Sequence, residues 1–261
     1  MKTTTSLAHC LHILLRMFKR FSAKVKKFWA AVALLSLEML IVVVLFMSSF
    51  ILFVYMIRRV FFLRNNLFDE KVFAYLNNHV SPENNSIMLF FTFLGKHEFL
   101  IPANLILIAY FLFIKKHRWY SIKIPAIALS SLALMFGLKN LFDRDRPLVP
   151  LLEEARGLSF PSGHALMSVT FYGLLIYIVF KGFKNKFLKW TMISLLLALI
   201  ITISFSRIYL RVHYASDVIA GFCVGFLWLV ICISVLNKLE QFSRKKVNPV
   251  VQQPAVEEAK A

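Results

Sequence analysis

Three short blocks, each at the end of an apolar stretch, carry the residues most able to do chemistry in this 261-residue chain: Lys139 with Arg146-Pro147, then Pro161-Ser162-Gly163-His164, then Ser206-Arg207 with His213 and Asp217. Segments this apolar rarely tolerate such groups unless a partner, a water-filled cavity or a substrate compensates them. Together the blocks supply cations to hold three phosphoryl oxygens, one imidazole to attack phosphorus and a second to protonate a departing oxygen. That inventory suits phosphoryl transfer.

Each block also has a plainer reading. Lys139 and Arg146 are seven residues apart, so a helix running through both would set them on one face about 10 Å apart along its axis, with Pro147 stopping it. Taken alone, the pair could equally snorkel at a membrane interface. In the second block proline suits a helix start, Gly163 lets backbone approach a ligand, and the free amides at the helix N-terminus attract an anion. His164 there is placed to give a proton to a leaving oxygen. A serine cap followed by an interfacial histidine would account for Ser162 but not for the whole tetrad. In the third block His213 and Asp217 stand four residues apart, a helical spacing at which the carboxylate accepts from one ring nitrogen and leaves the other with its lone pair free. The alternative is a structural His-Asp pair.

The elements that must position these groups are membrane spans. The chain is 59% hydrophobic and 17% charged, far more apolar than a soluble domain. Runs long enough to cross a bilayer, about 20 residues each, fall at roughly 33 to 57, 98 to 114, 122 to 142, 164 to 181, 188 to 207 and 216 to 236. They are too long and continuous for barrel strands, and in lipid the alternative to a closed barrel is the helix. The expected fold is all-α: a polytopic membrane protein with a six-transmembrane-helix bundle and short interfacial helices.

A formal net charge of +18 would suggest nucleic acid in a soluble protein, but its distribution points to a bilayer and to no nucleic-acid partner. With the N-terminus inside, 20 of the 31 Lys and Arg residues fall on the inner side and 11 on the outer side. By the positive-inside rule both termini are then cytoplasmic, and all three blocks face outward. Residues 1 to 29 form a basic amphipathic arm with leucines and phenylalanines at near-helical spacing, suited to an anionic inner leaflet. They do not read as a cleavable signal peptide. Residues 30 to 240 form the six-span domain, and 241 to 261 a disordered cytoplasmic tail. The polar segment 58 to 97 is expected to hold one or two short surface helices broken near Ser81-Pro82, framing a lateral entrance or forming a plain packed outer loop. Glu38 lies near the inner end of the first span, with no catalytic role assigned. Cys223 and Cys232, nine residues apart on one helix, point to nearly opposite faces and suggest neither a disulfide nor a metal site.

The order and spacing of the blocks resemble the type-2 phosphatidic acid phosphatase superfamily, whose signature is Lys, six residues, Arg-Pro; then Pro-Ser-Gly-His; then Ser-Arg, five residues, His, three residues, Asp. Every defining position is matched, and the resemblance covers the core from about residue 86 to 236. It implies a six-helix fold and hydrolysis of a lipid phosphate through a phosphohistidine, with no metal and no cofactor. Position by position it implies His213 as nucleophile, Asp217 as its orienting carboxylate and His164 as general acid that later activates water. Lys139, Arg146, Arg207, Ser162 and Gly163 would hold the phosphate. Where many relatives have Gly-Val-His-Tyr-Pro-Ser-Asp, this chain has Arg211-Val212-His213-Tyr214-Ala215-Ser216-Asp217. Arg211 is read as a possible head-group contact favouring a diphosphate. Asp143 and Asp145, flanking Arg144, are read as solvated or paired with neighbouring arginines.

The resulting expectation is a lipid phosphatase of a bacterial inner (plasma) membrane with its site on the periplasmic or exterior face. Undecaprenyl diphosphate is the first candidate substrate; phosphatidylglycerophosphate, phosphatidic acid and lipid A phosphates are the alternatives. Two rival classes share the constellation: a vanadate-dependent haloperoxidase, which six spans argue against, and a non-catalytic lipid-binding or transport protein, which would have no use for both histidines.

Overall fold

The computed structural model describes residues 37–147, 151 and 157–247; the arm expected over 1–29 and residues 248–261 of the expected tail lie outside them. The protein is all-helical among the described residues. Its helices are α1 (Leu37–Ile57), α2 (Leu67–Asn77), α3 (Pro82–Leu94), α4 (His97–Ala109), α5 (Arg118–Phe142), α6 (Gly163–Gly182), α7 (Lys186–Tyr209) and α8 (Ala215–Phe242). Wider π turns extend α1 over Arg58–Phe62, α4 over Tyr110–Ile114 and α8 over Ser243–Val247. With these turns α1, α4, α5, α6, α7 and α8 are, among the described residues, the six helices long and apolar enough to cross a membrane. The last helix therefore runs past residue 241, where the tail was expected to begin.

Contacts divide the chain into two units, Met1–Met47 and Ser48–Ala261. The described part of the first is the opening of α1, apolar apart from Glu38 in its first turn. The second holds the bundle. Here α6 is central, packing on α5, α7 and α8, and it carries buried Leu166, Val169, Phe171, Tyr172 and Leu174. One core cluster joins Val169, Phe171 and Tyr172 to Leu100, Ile200 and Ile203; another joins Leu174 to Phe111, Ile124, Ile127 and Leu229. Large apolar side chains on the outer faces, among them Leu129, Phe136, Leu195 and Ile201, are exposed, as a bilayer-facing surface requires.

In lipid, helix association depends on close backbone approach rather than on expulsion of water. Gly221 and Gly225, one turn apart on α8, provide it. A Cβ on Gly221 would lie 2.5 Å from the Ser162 carbonyl oxygen, and one on Gly225 would lie 2.9 Å from the Leu166 carbonyl oxygen. Both obstacles are backbone, so neither can swing aside. At the end of the bundle opposite the charged blocks, Lys123 of α5, 3% exposed, donates to Asn237 Oδ1 and Glu240 Oε2 of α8, each at 2.6 Å. Glu240 also receives Arg244 at 2.8 Å.

The segment between the first two spans is helical, as expected. Ser81 caps α3 by accepting from the Asn84 amide at 3.2 Å, with Pro82 in the first turn. One apolar stripe of α2 buries Leu76 against Tyr209, Leu210 and Val212. A correction concerns α5. It does not continue to Pro147 but ends at Phe142, where Asp143 takes a left-handed conformation (φ 43°) and returns its amide to the Lys139 carbonyl at 3.0 Å. Lys139 and Arg146 are therefore not two turns of one helix.

Gly221→Ala is expected to force α8 off the α6 backbone and cost about 1–3 kcal/mol, read as a lowered thermal midpoint in detergent. An unchanged midpoint would mean the two helices can separate freely.

Candidate active site

Consecutive spans run in opposite directions, so the C-terminal ends of α5 and α7 and the N-terminal ends of α6 and α8 share one end of the bundle. All three blocks lie there. Lys139, on the last turn of α5, donates through Nζ to the Leu158 carbonyl, and its Cε lies 3.9 Å from where a Gly163 Cβ would stand. Arg146 reaches the same place from the loop: Nε donates to Gly157 O and Nη1 to Val212 O, both at 2.8 Å, and Nη1 lies 3.3 Å from His213 Nε2. Burial pulls the Arg146 guanidinium below its ordinary pKa, against the opposing pull of Asp217.

Ser162 is the N-cap residue of α6 but does not spend its hydroxyl there. Its amide donates to the Asp217 carbonyl at 3.0 Å, which ties the start of α6 to the start of α8. Ser162 Oγ and His164 Nε2 are both buried without a hydrogen-bond partner among the described residues. Groups in that state cost about 1–3 kcal/mol each and call for an explanation such as an incoming ligand. Arg207, 3% exposed, donates through Nη1 to Thr92 Oγ1 of α3 at 3.2 Å, and Thr92 shares a 2.6 Å bond with Ser206. His164 follows Ser162 by two residues in the first turn of α6, and its ring lies 3.2 Å from where a Cβ on Gly95 would stand.

Asp217 is fully buried, and local sequence explains its place. As the third residue of α8 its Oδ2 folds back to the amide of Tyr214, the N-cap, at 3.0 Å, the reciprocal arrangement of a capping box. The expectation that Asp217 accepts directly from the His213 ring needs correction. His213 Nδ1 is 3.7 Å from Oδ2, beyond hydrogen-bond length, and Ser159 fills the gap. Ser159 Oγ donates to Asp217 Oδ2 at 2.5 Å and lies 3.3 Å from His213 Nδ1. Because the hydroxyl proton is committed to the carboxylate, the oxygen accepts from the ring, which puts the imidazole proton on Nδ1. On the other side Nε2 faces the Arg146 donor, consistent with a lone pair there. Burial drives His213 down to about 4, against the contrary influence of Asp217 and with the Arg146 and Arg207 charges adding to it, so the ring is neutral at ordinary pH.

Arg211 stands apart from this cluster. Its backbone is left-handed (φ 53°), a conformation in which glycine costs nothing and an arginine is strained. Its guanidinium donates to Asn77 Oδ1 at the end of α2. Asp143 and Asp145 are exposed.

Sequence reasoning passed over Ser159, Thr92, Arg144 and Asp69. Arg144 donates through Nη1 to Asp217 Oδ1 at 2.5 Å and to Ser216 Oγ at 2.8 Å, and through Nη2 to Asp69 Oδ2 at 3.1 Å. Asp69, 2% exposed on α2, also accepts from the Ser216 amide at 2.9 Å and the Ser216 hydroxyl at 2.7 Å. One signal was readable: with Val72, Phe73 and Leu76 at the third, fourth and seventh places after it, Asp69 lies on the apolar stripe of α2. Among the described residues no three His, Cys, Asp or Glu side chains gather as metal ligands.

Residues 120–241 match the family model described as the PAP2 superfamily. The chain is also 31% identical over 165 residues to phosphatidylglycerophosphatase B of Bacillus subtilis, covering 62% of this chain and 79% of that protein. The chain belongs to the PAP2 superfamily. The crystal structure of a transmembrane PAP2-type phosphatidylglycerolphosphate phosphatase from Bacillus subtilis superposes with a TM-score of 0.69 at 25% identity, over 76% of this chain and 98% of that one. A putative undecaprenyl-diphosphatase of Escherichia coli is 31% identical over 144 residues, 52% of this chain and 66% of its own length. This PAP2 protein is accordingly a multi-pass membrane phosphatase.

In this PAP2 phosphatase, Ser159→Ala is expected to strand His213 Nδ1 and to take one donor from the Asp217 carboxylate, at about 1–3 kcal/mol of stability. Thermal unfolding in detergent would show it, and a midpoint equal to wild type would mean Asp217 and His213 close the gap unaided.

Proposed function

We propose that the protein is a lipid phosphatase that removes a terminal phosphate from a lipid on the outer face of a bacterial inner membrane, with no metal ion and through a phosphohistidine. The observation that carries the reading is the neutral, fully buried His213 with Nδ1 tied through Ser159 to Asp217 and Nε2 turned toward Arg146. In the first step the Nε2 lone pair attacks phosphorus, the bond from phosphorus to the lipid oxygen breaks, and that oxygen takes the proton of His164. In the second, His164 removes a proton from water, the resulting hydroxide attacks phosphorus, and the phosphorus–nitrogen bond breaks with its electron pair returning to His213. Inorganic phosphate leaves and His164 is again protonated. Lys139, Arg146 and Arg207, with the Ser162 hydroxyl and the amides at Gly163, neutralise the phosphoryl oxygens as charge builds. These donors supply the role a metal would otherwise fill.

The outward orientation, with both termini cytoplasmic, rests on the excess of Lys and Arg at the other end of the bundle. Undecaprenyl diphosphate is the first candidate substrate. Phosphatidylglycerophosphate is the second and has the support of the Bacillus relative, while the engagement of Arg211 with Asn77 takes weight from a diphosphate preference set by that residue. Phosphate release from purified protein across isoprenyl diphosphates, glycerophospholipid phosphates and lipid A decides among them.

Two outcomes test the chemistry. His213→Asn is expected to abolish phosphate release while the protein still folds, and to prevent trapping of radiolabelled phosphate on the chain after an acid-free quench; a variant with wild-type turnover would end this reading. Because the nucleophile must be unprotonated, protonation of His213 should appear in kcat/KM as an acid limb that drops about tenfold per unit below a pH of about 4. A limb centred near the ordinary histidine value of 6.5 would contradict the burial argument.

A further inference from the structure

Asp69 and Arg144 have no hydrogen bond to Lys139, Arg146, Ser162, His164 or Arg207 among those described, yet they form the densest polar contact in the neighbourhood of Asp217. We propose that Asp69 and Arg144 are a positioning pair that fixes the Asp217 carboxylate behind His213, and that α2 lies at the membrane surface to deliver Asp69 to that place. The proposal rests on the reading of His213 as nucleophile and Asp217 as the group that orients it.

The geometry carries it in three steps. First, Arg144 is shared as a fork: one terminal nitrogen takes Asp217 Oδ1 at 2.5 Å and the other takes Asp69 Oδ2 at 3.1 Å, while its planar head lies 4.1 Å from the Tyr214 ring centre. A lysine cannot span two carboxylates in this way. Second, Asp69 is seated on the first turn of α8 through the amide and hydroxyl of Ser216, the neighbour of Asp217, so the fork is anchored to the element that it orients. With Oδ1 occupied by Arg144, Oδ2 alone faces Ser159, the Tyr214 amide and the His213 ring.

Third, the charges do not cancel. One guanidinium between two buried carboxylates leaves an excess negative charge, so Asp217 keeps a field directed at the imidazole as positive charge develops on the ring during attack. Removing the charge of Asp69 would leave Arg144 wholly on Asp217 and quench that field. The interaction strengthens only as the ring becomes charged, so its loss falls on kcat rather than on substrate binding.

The experiment uses the full chain in detergent, with undecaprenyl diphosphate and phosphatidylglycerophosphate as substrates. Asp69→Asn is expected to lower kcat by about tenfold to a hundredfold, the range typical of groups that orient an imidazole from behind, with KM within about twofold of wild type. Arg144→Lys, which keeps the buried charge but cannot fork, should do the same, and it provides the reading if Asp69→Asn folds poorly. Leu76→Ala, which loosens the packing of α2 against Tyr209, Leu210 and Val212 but removes no hydrogen bond of Asp69 or Arg144, should lower the thermal midpoint and leave kcat per folded molecule unchanged. The proposal is overturned if Asp69→Asn and Arg144→Lys both retain wild-type kcat while His213→Asn is inactive, or if Leu76→Ala lowers kcat as far as Asp69→Asn. Retained turnover in His213→Asn would instead overturn the nucleophile reading beneath it, and the proposal with it.

Discussion

A carboxylate withdrawn completely from solvent is the constraint around which this end of the protein is organised. Asp217 has no exposed surface, and a buried charge is tolerated only when it is both paired and hydrogen-bonded. Four separate parts of the chain meet that demand: Arg144 from the loop after α5, Ser159 from the approach to α6, the Tyr214 amide from its own helix start, and Asp69 indirectly from α2. Satisfying one oxygen pair thereby fixes the mutual placement of α2, α5, α6 and α8. The Ser162 amide on the Asp217 carbonyl and the glycine face of α8 fasten the same junction through the backbone.

Much of this was legible before any coordinates. The spans follow from apolar length alone, and their alternation puts the three charged blocks at one end without further argument. The joint presence of Lys139, Arg146, Ser162, Gly163, His164, Arg207, His213 and Asp217 needed only spacing. Local geometry was less accessible. A helix through Lys139 and Arg146 was the simplest reading of seven residues, but the left-handed turn at Asp143 replaces it, and an aspartate can adopt that turn without announcing it. Ser159 could not be found from sequence because its role depends on the gap between His213 and Asp217, which is a tertiary distance.

Asp69 and Thr92 teach a different lesson. Both are buried polar residues on the helices between the first two spans, 2% and 0% exposed, and both end on the candidate site, one joined through Arg144 to Asp217 and the other bonded to Arg207. The surface segment between the first two spans, which composition alone left as entrance or packing, is therefore continuous with the site's support. An acid within an apolar stripe carries a warning that helix periodicity can reveal: the stripe faces protein, so the acid must have a partner there.

The unpartnered Ser162 hydroxyl and His164 Nε2 have an energetic consequence for the resting protein. Neither has a hydrogen-bond partner among the described residues, so a phosphoryl group bound there, as proposed above, would supply each with one. Part of the attraction for a phosphate then originates in the protein's own relief, independent of the lipid attached to it. Inorganic phosphate, which carries the same oxygens, draws on that relief as well, and the step that frees the pocket must work against it.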